Sequence, residues 1–207
     1  NFNITVGEKS SASYNVTDTV GQTGAGPFGE YGSSTYFVGS GFQYIYQINE
    51  FSFSISDLEI DLGTLTPGVH NTDSNTLTIN SKGAGGFTVY AYEQHPLRLT
   101  ATGEDIPDTS CDASDCTISN ATVWSDQDVA GFGFSVSGDT AASAFVDSTY
   151  FRPFADNEEG DSMQTVMTSS NLAIDETATV TYKAGISNTQ PAGSYETGII
   201  FVAVPGF

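Results

Sequence analysis

Positive charge is what this chain has least of. Five Lys and Arg stand against 25 Asp and Glu in 207 residues, a formal net charge of −20. A surface of that sign repels phosphates and anionic lipid heads, which argues against nucleic acid and membrane partners. Cysteine is scarce too: Cys111 and Cys116, in "CDASDC", are the whole supply. Two thiols cannot make a thiolate zinc site, which takes four ligands, and the spacing is not that of a CxxC redox pair. A local disulfide between Cys111 and Cys116 is expected, with two free thiols as the alternative; the disulfide implies an oxidising compartment. No stretch approaches the ~20 apolar residues of a membrane-spanning helix. The two histidines, His70 and His95, both have turn-like neighbours. There is no HExxH, no GxSxG elbow, no P-loop and no GxGxxG opening a helix. No catalytic residue is assigned, and the chain is not read as an enzyme. A triad assembled in space, or a carboxylate pair for glycoside cleavage, is left open by the sequence; solvated acidic loops account for the same residues.

Helix signals are also missing, and what takes their place is alternation with period two. "FSFSIS" sets Phe51, Phe53 and Ile55 on one face and serines on the other. "TLTIN" alternates Leu77 and Ile79. "FTVYAYE" puts Phe87, Val89 and Ala91 opposite Thr88, Tyr90 and Tyr92, and "TVTYKAGIS" puts Val180, Tyr182, Ala184 and Ile186 opposite Thr181 and Lys183. Turn signals lie between them: "LTPG", "SKGAGG", "QPAGS". Short alternating strands with Gly/Pro turns predict an all-β fold, an antiparallel β-sandwich of jelly-roll or Ig-like type with an N-terminal strand extension. "SSNLAIDE" is the one stretch that admits a helical turn. "IIFVAV" is apolar on both faces, as in a central strand or one at an interface. The division falls near residue 48: residues 1–47 form a Gly/Ser-rich extension and residues 48–207 the main sandwich. Residues 103–129 read as a long surface insert holding the cysteines, many Asp and Trp124.

Acidic loops are where an ion would bind. "FADNEEGDS" offers Asp156, Glu158, Glu159 and Asp161 to Ca²⁺, which takes six to eight hard oxygens. The spacing is not that of an EF-hand loop, and a solvated acidic turn is the alternative. "EDIPDTSCDASDC" offers Asp105, Asp108, Asp112 and Asp115 in the same sense. No other cofactor is implied. Trp124 is a candidate for stacking on a sugar ring, against the alternative of a core residue. "NIT", "NVT" and "NAT" are glycosylation sequons at Asn3, Asn15 and Asn120. Lys183 suggests a pilin-type isopeptide cross-link, but alternation turns it outward.

One phrase occurs twice near the start: "SSASYNV" and "SSTYFV", each a Ser pair leading to Tyr-x-Val. With "VGQTGAG", "LGTLTPG", "NTLTINSKGAGGFTVYAY", "W…GFGFSVSG" and "QPAGSYETGIIFVAVPGF", it resembles secreted β-sandwich surface proteins of the candidate-phyla (Patescibacteria) bacterial type. "LGTLTPG" before an alternating strand is also faintly similar to fibre subunits of the TasA/camelysin kind. The resemblance implies fold and an extracellular, cell-surface location, and no activity. The twin phrases read as two edge strands joined by "VGQTGAGPFGEYG". Ahead of them "NFNITV" places Phe2, Ile4 and Val6 on one face, and its start without Met reads as a processed N-terminus. The C-terminal "GIIFVAVPGF" lacks the pattern of a lipid anchor. The expected function is a structural subunit of an extracellular filament, pilus or surface layer. It assembles with itself by strand addition, Phe2, Ile4 and Val6 being the donor contacts. The alternative is a monomeric carbohydrate-binding adhesin module that uses Trp124 and the acidic loops on surface glycans.

Overall fold

A computed structural model describes residues 51–83 and 85–206, with the backbone of four short strands at 6–10, 15–19, 26–30 and 37–40. The chain divides into two compact units, Asn1–Asn49 and Glu50–Phe207. Among the described residues there is no helix.

In the first unit β1 (Val6–Ser10) pairs antiparallel with β2 (Asn15–Thr19), Val6 opposite Thr19. β3 (Gly26–Glu30) pairs with β4 (Phe37–Ser40). Each copy of the repeated phrase therefore ends in a strand, but the two strands are not partners. The joining segment supplies β3, so each copy closes a hairpin of its own.

The second unit is built on two sheets. The first has the order β11 (Gly131–Ser137), β14 (Ala173–Gly185), β6 (Asn71–Ser81), β5 (Phe51–Ile55), all antiparallel. The second has β13 (Gln164–Ser169), β7 (Phe87–Glu93), β16 (Ile199–Pro205). Past Glu93 the chain enters a separate three-stranded sheet, in which β8 (Leu97–Leu99) pairs with β15 (Tyr195–Glu196) and with β9 (Glu104–Ile106). Alternation does the sorting: Leu77, Ile79, Val180 and Tyr182 from one sheet meet Phe87, Val89 and Ala91 from the other in one buried cluster. A bulge in β13 between Thr165 and Met167 turns both Val166 and Met167 inward. Phe154 stands at the centre, stacked on Phe134 (4.0 Å), Phe132 (5.7 Å) and Tyr182 (6.0 Å).

Two expectations need correction. "SSNLAIDE" holds no helical turn: β14 begins at Ala173, and its opening carries a register irregularity with Asp175 at φ 51°. β16 is not central. Among the described residues it is the edge of its sheet and is half-buried along most of its length, which leaves the other reading of this strand, at an interface, untouched.

The expected surface insert at 103–129 is only partly one: Glu104–Ile106 form β9 with Ile106 in the main core, and residues 111–129 fold back over the outer face of the first sheet near Lys183. There Cys111 and Cys116 form a disulfide, Cα atoms 5.7 Å apart. They pack with Trp124 and Phe151 in a small second core. β10 (Thr122–Val123) and β12 (Tyr150–Phe151) tie this layer together. By loop-closure entropy a ring this short contributes about 2 kcal/mol. Intact-mass measurement without reductant is expected to show two hydrogens fewer than the sequence mass, and reduction to lower the melting temperature by several degrees. Two alkylatable thiols in the native protein would refute the bond.

Candidate functional site

The two sheets part along one side. Among the described residues β5 has a ladder partner only in β6, and β16 only in β7. The other open margins are covered: residues 140–142 lie against β13, and residues 107–109 and Arg152 lie against β11. Between β5 and β16 runs an open groove of about 840 Å³. Its floor is the sandwich core itself, where Ile106, Phe132 and Tyr182 come to the surface of the groove. Its walls are Ile55 on one side and Ile199 and Phe201 on the other, all half-buried.

Both lips of the groove are chain without a sheet ladder. The segment "DLEIDLGTL" alternates Leu58, Ile60 and Leu62 like a strand, yet its backbone joins no sheet. Side chains hold it: Asp73 accepts from the Asp61 N–H (3.0 Å), and Asn71 Nδ2 donates to the Leu62 carbonyl (2.8 Å). The opposite lip, residues 187–194, is pinned by Gln190, whose Nε2 donates to the Asp105 carbonyl (3.1 Å) and to the Tyr195 hydroxyl (2.8 Å). Tyr195 in turn donates to the Pro191 carbonyl (2.8 Å). Asp57, Asp61 and Glu196 give the rim an acidic character. An apolar floor with polar rims and two unpaired strand edges can hold an extended peptide: ladder bonds to an edge, alternate side chains inward.

Of the candidate residues read from the sequence, the structure scatters most. Trp124 is fully buried and offers no ring face to a sugar, which corrects the stacking expectation. Its Nε1 and His70 Nε2 both donate to the Val129 carbonyl (3.1 and 2.9 Å). Lys183 does point away from the main core, as alternation requires, but the Trp124 layer roofs it. Its Nζ donates to the Trp124 carbonyl (2.7 Å) and sits 3.7 Å from the centre of the Phe151 ring. Burial pushes it down to about 8, against the opposing pull of Asp112.

Of the Ca²⁺ ligands expected from the acidic loops, Asp156, Glu159 and Asp161 lie near Asp108, but they do not form a set that could hold the ion. Glu158 pairs with Arg98 (2.7 Å), Asp161 accepts from the Asp156 N–H (3.2 Å), and Glu159 is exposed. Asp105 holds the other side of the same Arg98 (2.8 Å). Asp112 accepts from Ser125 and Asp126, and Asp115 from the Thr122 hydroxyl (2.6 Å). Among the described residues no group of three or more His, Cys, Asp or Glu can hold a metal ion. The Asn120 side chain is exposed, donating to the Asp115 carbonyl (3.3 Å). Phe2, Ile4 and Asn3 lie outside the described residues; Val6 and Asn15 lie in β1 and β2.

The residues that line the groove were missed as a site because each reads as ordinary core. The signal was the alternation of Leu58, Ile60 and Leu62 beside "LTPG", a strand pattern with nothing said of its partner. Among the described residues no helix is long and apolar enough to cross a membrane. No protein-family model matches the chain, and neither a curated protein nor a solved structure does, so the resemblance to secreted candidate-phyla surface proteins rests on its quoted residues alone.

Proposed function

We propose that this protein is a non-enzymatic structural subunit of an extracellular assembly, in which the groove between β5 and β16 accepts a strand from a second copy. The observation that carries the reading is the groove itself, an apolar hollow beside the end of β5 and the start of β16, two strands that among the described residues each have one free edge. The disulfide supports an oxidising, extracellular setting. The donor is "NFNITV". Six extended residues reach roughly 20 Å, close to the length of the seven-residue β16 edge. Phe2, Ile4 and Val6 would each contribute roughly 1.5–3 kcal/mol on full burial. The segment is uncharged, which suits an acidic rim in a chain of net charge −20. Val6 also opens the β1–β2 hairpin, so donation of residues 1–6 leaves Gly7–Ser10 paired. Burial of Trp124 removes one of the two features, beside the acidic loops, on which a glycan-binding reading relied.

The full chain is expected to form filaments or ladders by electron microscopy, and deleting residues 1–8 to abolish them while leaving a folded chain by circular dichroism. The shortened chain should bind a peptide of residues 1–8, and the Phe2→Asp peptide at least tenfold more weakly, because it would bury a charge. If the deletion unfolds the chain, the segment completes its own fold rather than a neighbour's. Normal polymers from the shortened chain would place the contacts elsewhere.

A further inference from the structure

Alternation along β7 puts Phe87, Val89 and Ala91 inward, and the next inward position is Glu93. Its side chain is fully buried, and neither carboxylate oxygen meets a donor among the described residues. Its backbone is fully used: the N–H donates to the Ala155 carbonyl and the carbonyl accepts from Asn157, both at 2.9 Å. Asp108 lies against the Glu93 carboxylate, and its Oδ1 is likewise buried without a donor. Asp108 belongs to the stretch that edges the other sheet. Phe132 of β11 donates to the Pro107 carbonyl and accepts from the Thr109 N–H (2.9 and 2.8 Å). The contact therefore spans the sandwich, from the end of β7 to the margin of β11.

The surroundings offer no relief of charge. Facing Glu93 are Asp108, Asp156 and, farther off, Asp105. Asp108 also faces Asp156, Glu159 and Asp161. The nearby Arg98 is engaged by Asp105 and Glu158. As two anions, Glu93 and Asp108 would touch with no hydrogen between them in a low-dielectric interior, which is strongly unfavourable. A carboxyl proton is the donor that fills the contact.

We propose that Glu93 and Asp108 share one proton at neutral pH, and that this acid–carboxylate bond is a pH-sensitive clasp holding the two sheets together. Burial first, then the charge of Asp108, pushes Glu93 far above its ordinary 4.5, to about 10. Burial likewise raises Asp108. The unfolded chain gives up the Glu93 proton above pH 4.5 while the folded chain keeps it. The stabilisation is complete below that pH and fades as the pH climbs toward 10. The pair titrates as a unit, so the readout belongs to the pair.

The test is thermal and denaturant unfolding of the full chain between pH 5 and 9, for wild type, Glu93→Gln and Asp108→Asn, with carboxyl-carbon NMR titration of the wild type. One retained proton corresponds to roughly a tenfold loss in the folding equilibrium constant per pH unit. Wild type is expected to lose that factor relative to Glu93→Gln, whose amide donates to Asp108 at every pH and which should be the more stable at pH 8. Asp108→Asn should flatten the profile in the same sense, and the Glu93 carbon should not titrate near pH 4.5. Parallel pH profiles for all three proteins, or a Glu93 carbon titrating in the ordinary range, would overturn the proposal. So would millimolar CaCl₂ stabilising wild type at pH 8 and not Glu93→Gln, since a cation would then occupy the place of the proton. The NMR arm needs no variant, so a variant that fails to fold leaves the proposal testable.

Discussion

Replacing Phe154 by alanine is expected to destabilise the Glu50–Phe207 unit by about 3–5 kcal/mol, the usual cost of emptying a large buried aromatic site. Phe154 is fully buried, and its ring stacks on Phe134 from β11 while reaching Phe132 and Tyr182. The ring also supports an unusual neighbour. Arg152 is buried with no carboxylate partner among the described residues, its guanidinium 5.4 Å from the Phe134 ring and 4.8 Å from Phe145, with Nη2 donating to the Thr165 carbonyl at 2.7 Å. Burial pushes it down to about 10. If Phe134 shifts into the space left by Phe154, Arg152 loses part of its aromatic cover. At roughly 2–4 °C per kcal/mol for a unit of this size, the melting temperature should fall by about 6–20 °C. Phe154→Leu, which keeps most of the volume, should cost less than half as much. A Phe154→Ala protein melting within 2 °C of wild type would show that the stack is not the centre of the core.

The second large effect is expected at Trp124. Trp124→Ala removes the roof over Lys183 and the partner of His70 (ring centres 4.7 Å apart) and of Phe151 (5.8 Å). The cost is again about 3–5 kcal/mol, but its distribution should differ. The damage falls on the disulfide layer and on the outer face of the first sheet, while the clasp between the sheets is untouched. Hydrogen exchange should therefore quicken in residues 109–130 and near Lys183, with little change in β7. Because Trp124 is the single tryptophan in the chain, its native fluorescence should be blue-shifted and insensitive to added sugars. A red-shifted native spectrum quenched by glycans would return Trp124 to the surface and revive the adhesin reading.

Much of the fold was legible because alternation is a local signal. Phe51, Leu77, Ile79, Phe87, Val89, Val180 and Tyr182 all turn to the face that period two assigns them. The buried Glu93 follows from the same pattern carried one step further along "FTVYAYE". Other features were hidden because they depend on contacts between distant segments. Nothing local tells that β16, apolar on both faces, ends at an edge, or that "GFGFSVS" is buried on both faces because the 107–109 and 152 stretches cover its margin. The acidic loops misled for a related reason. Their spacing showed many carboxylates, whereas Asx-type turns, Arg98 and the Thr122 hydroxyl take most of them singly.

The placement of the few cations bears on how copies of this chain can approach one another. Arg152 and Lys183 lie over aromatic rings and donate to backbone carbonyls, and Arg98 is held between two carboxylates. In colloidal terms two of the chain's cations, Arg152 and Lys183, are drawn in under aromatic cover, while the formal charge of −20 is left largely uncompensated at the surface. Side-by-side packing of such particles is opposed over roughly the Debye length, about 8 Å at physiological ionic strength and about 30 Å at 0.01 M. A joint made by an uncharged strand is spared most of that repulsion. If copies join by the proposed strand addition, ionic strength should govern lateral bundling far more than end-to-end growth, with dilute buffer favouring separate threads and concentrated salt their alignment.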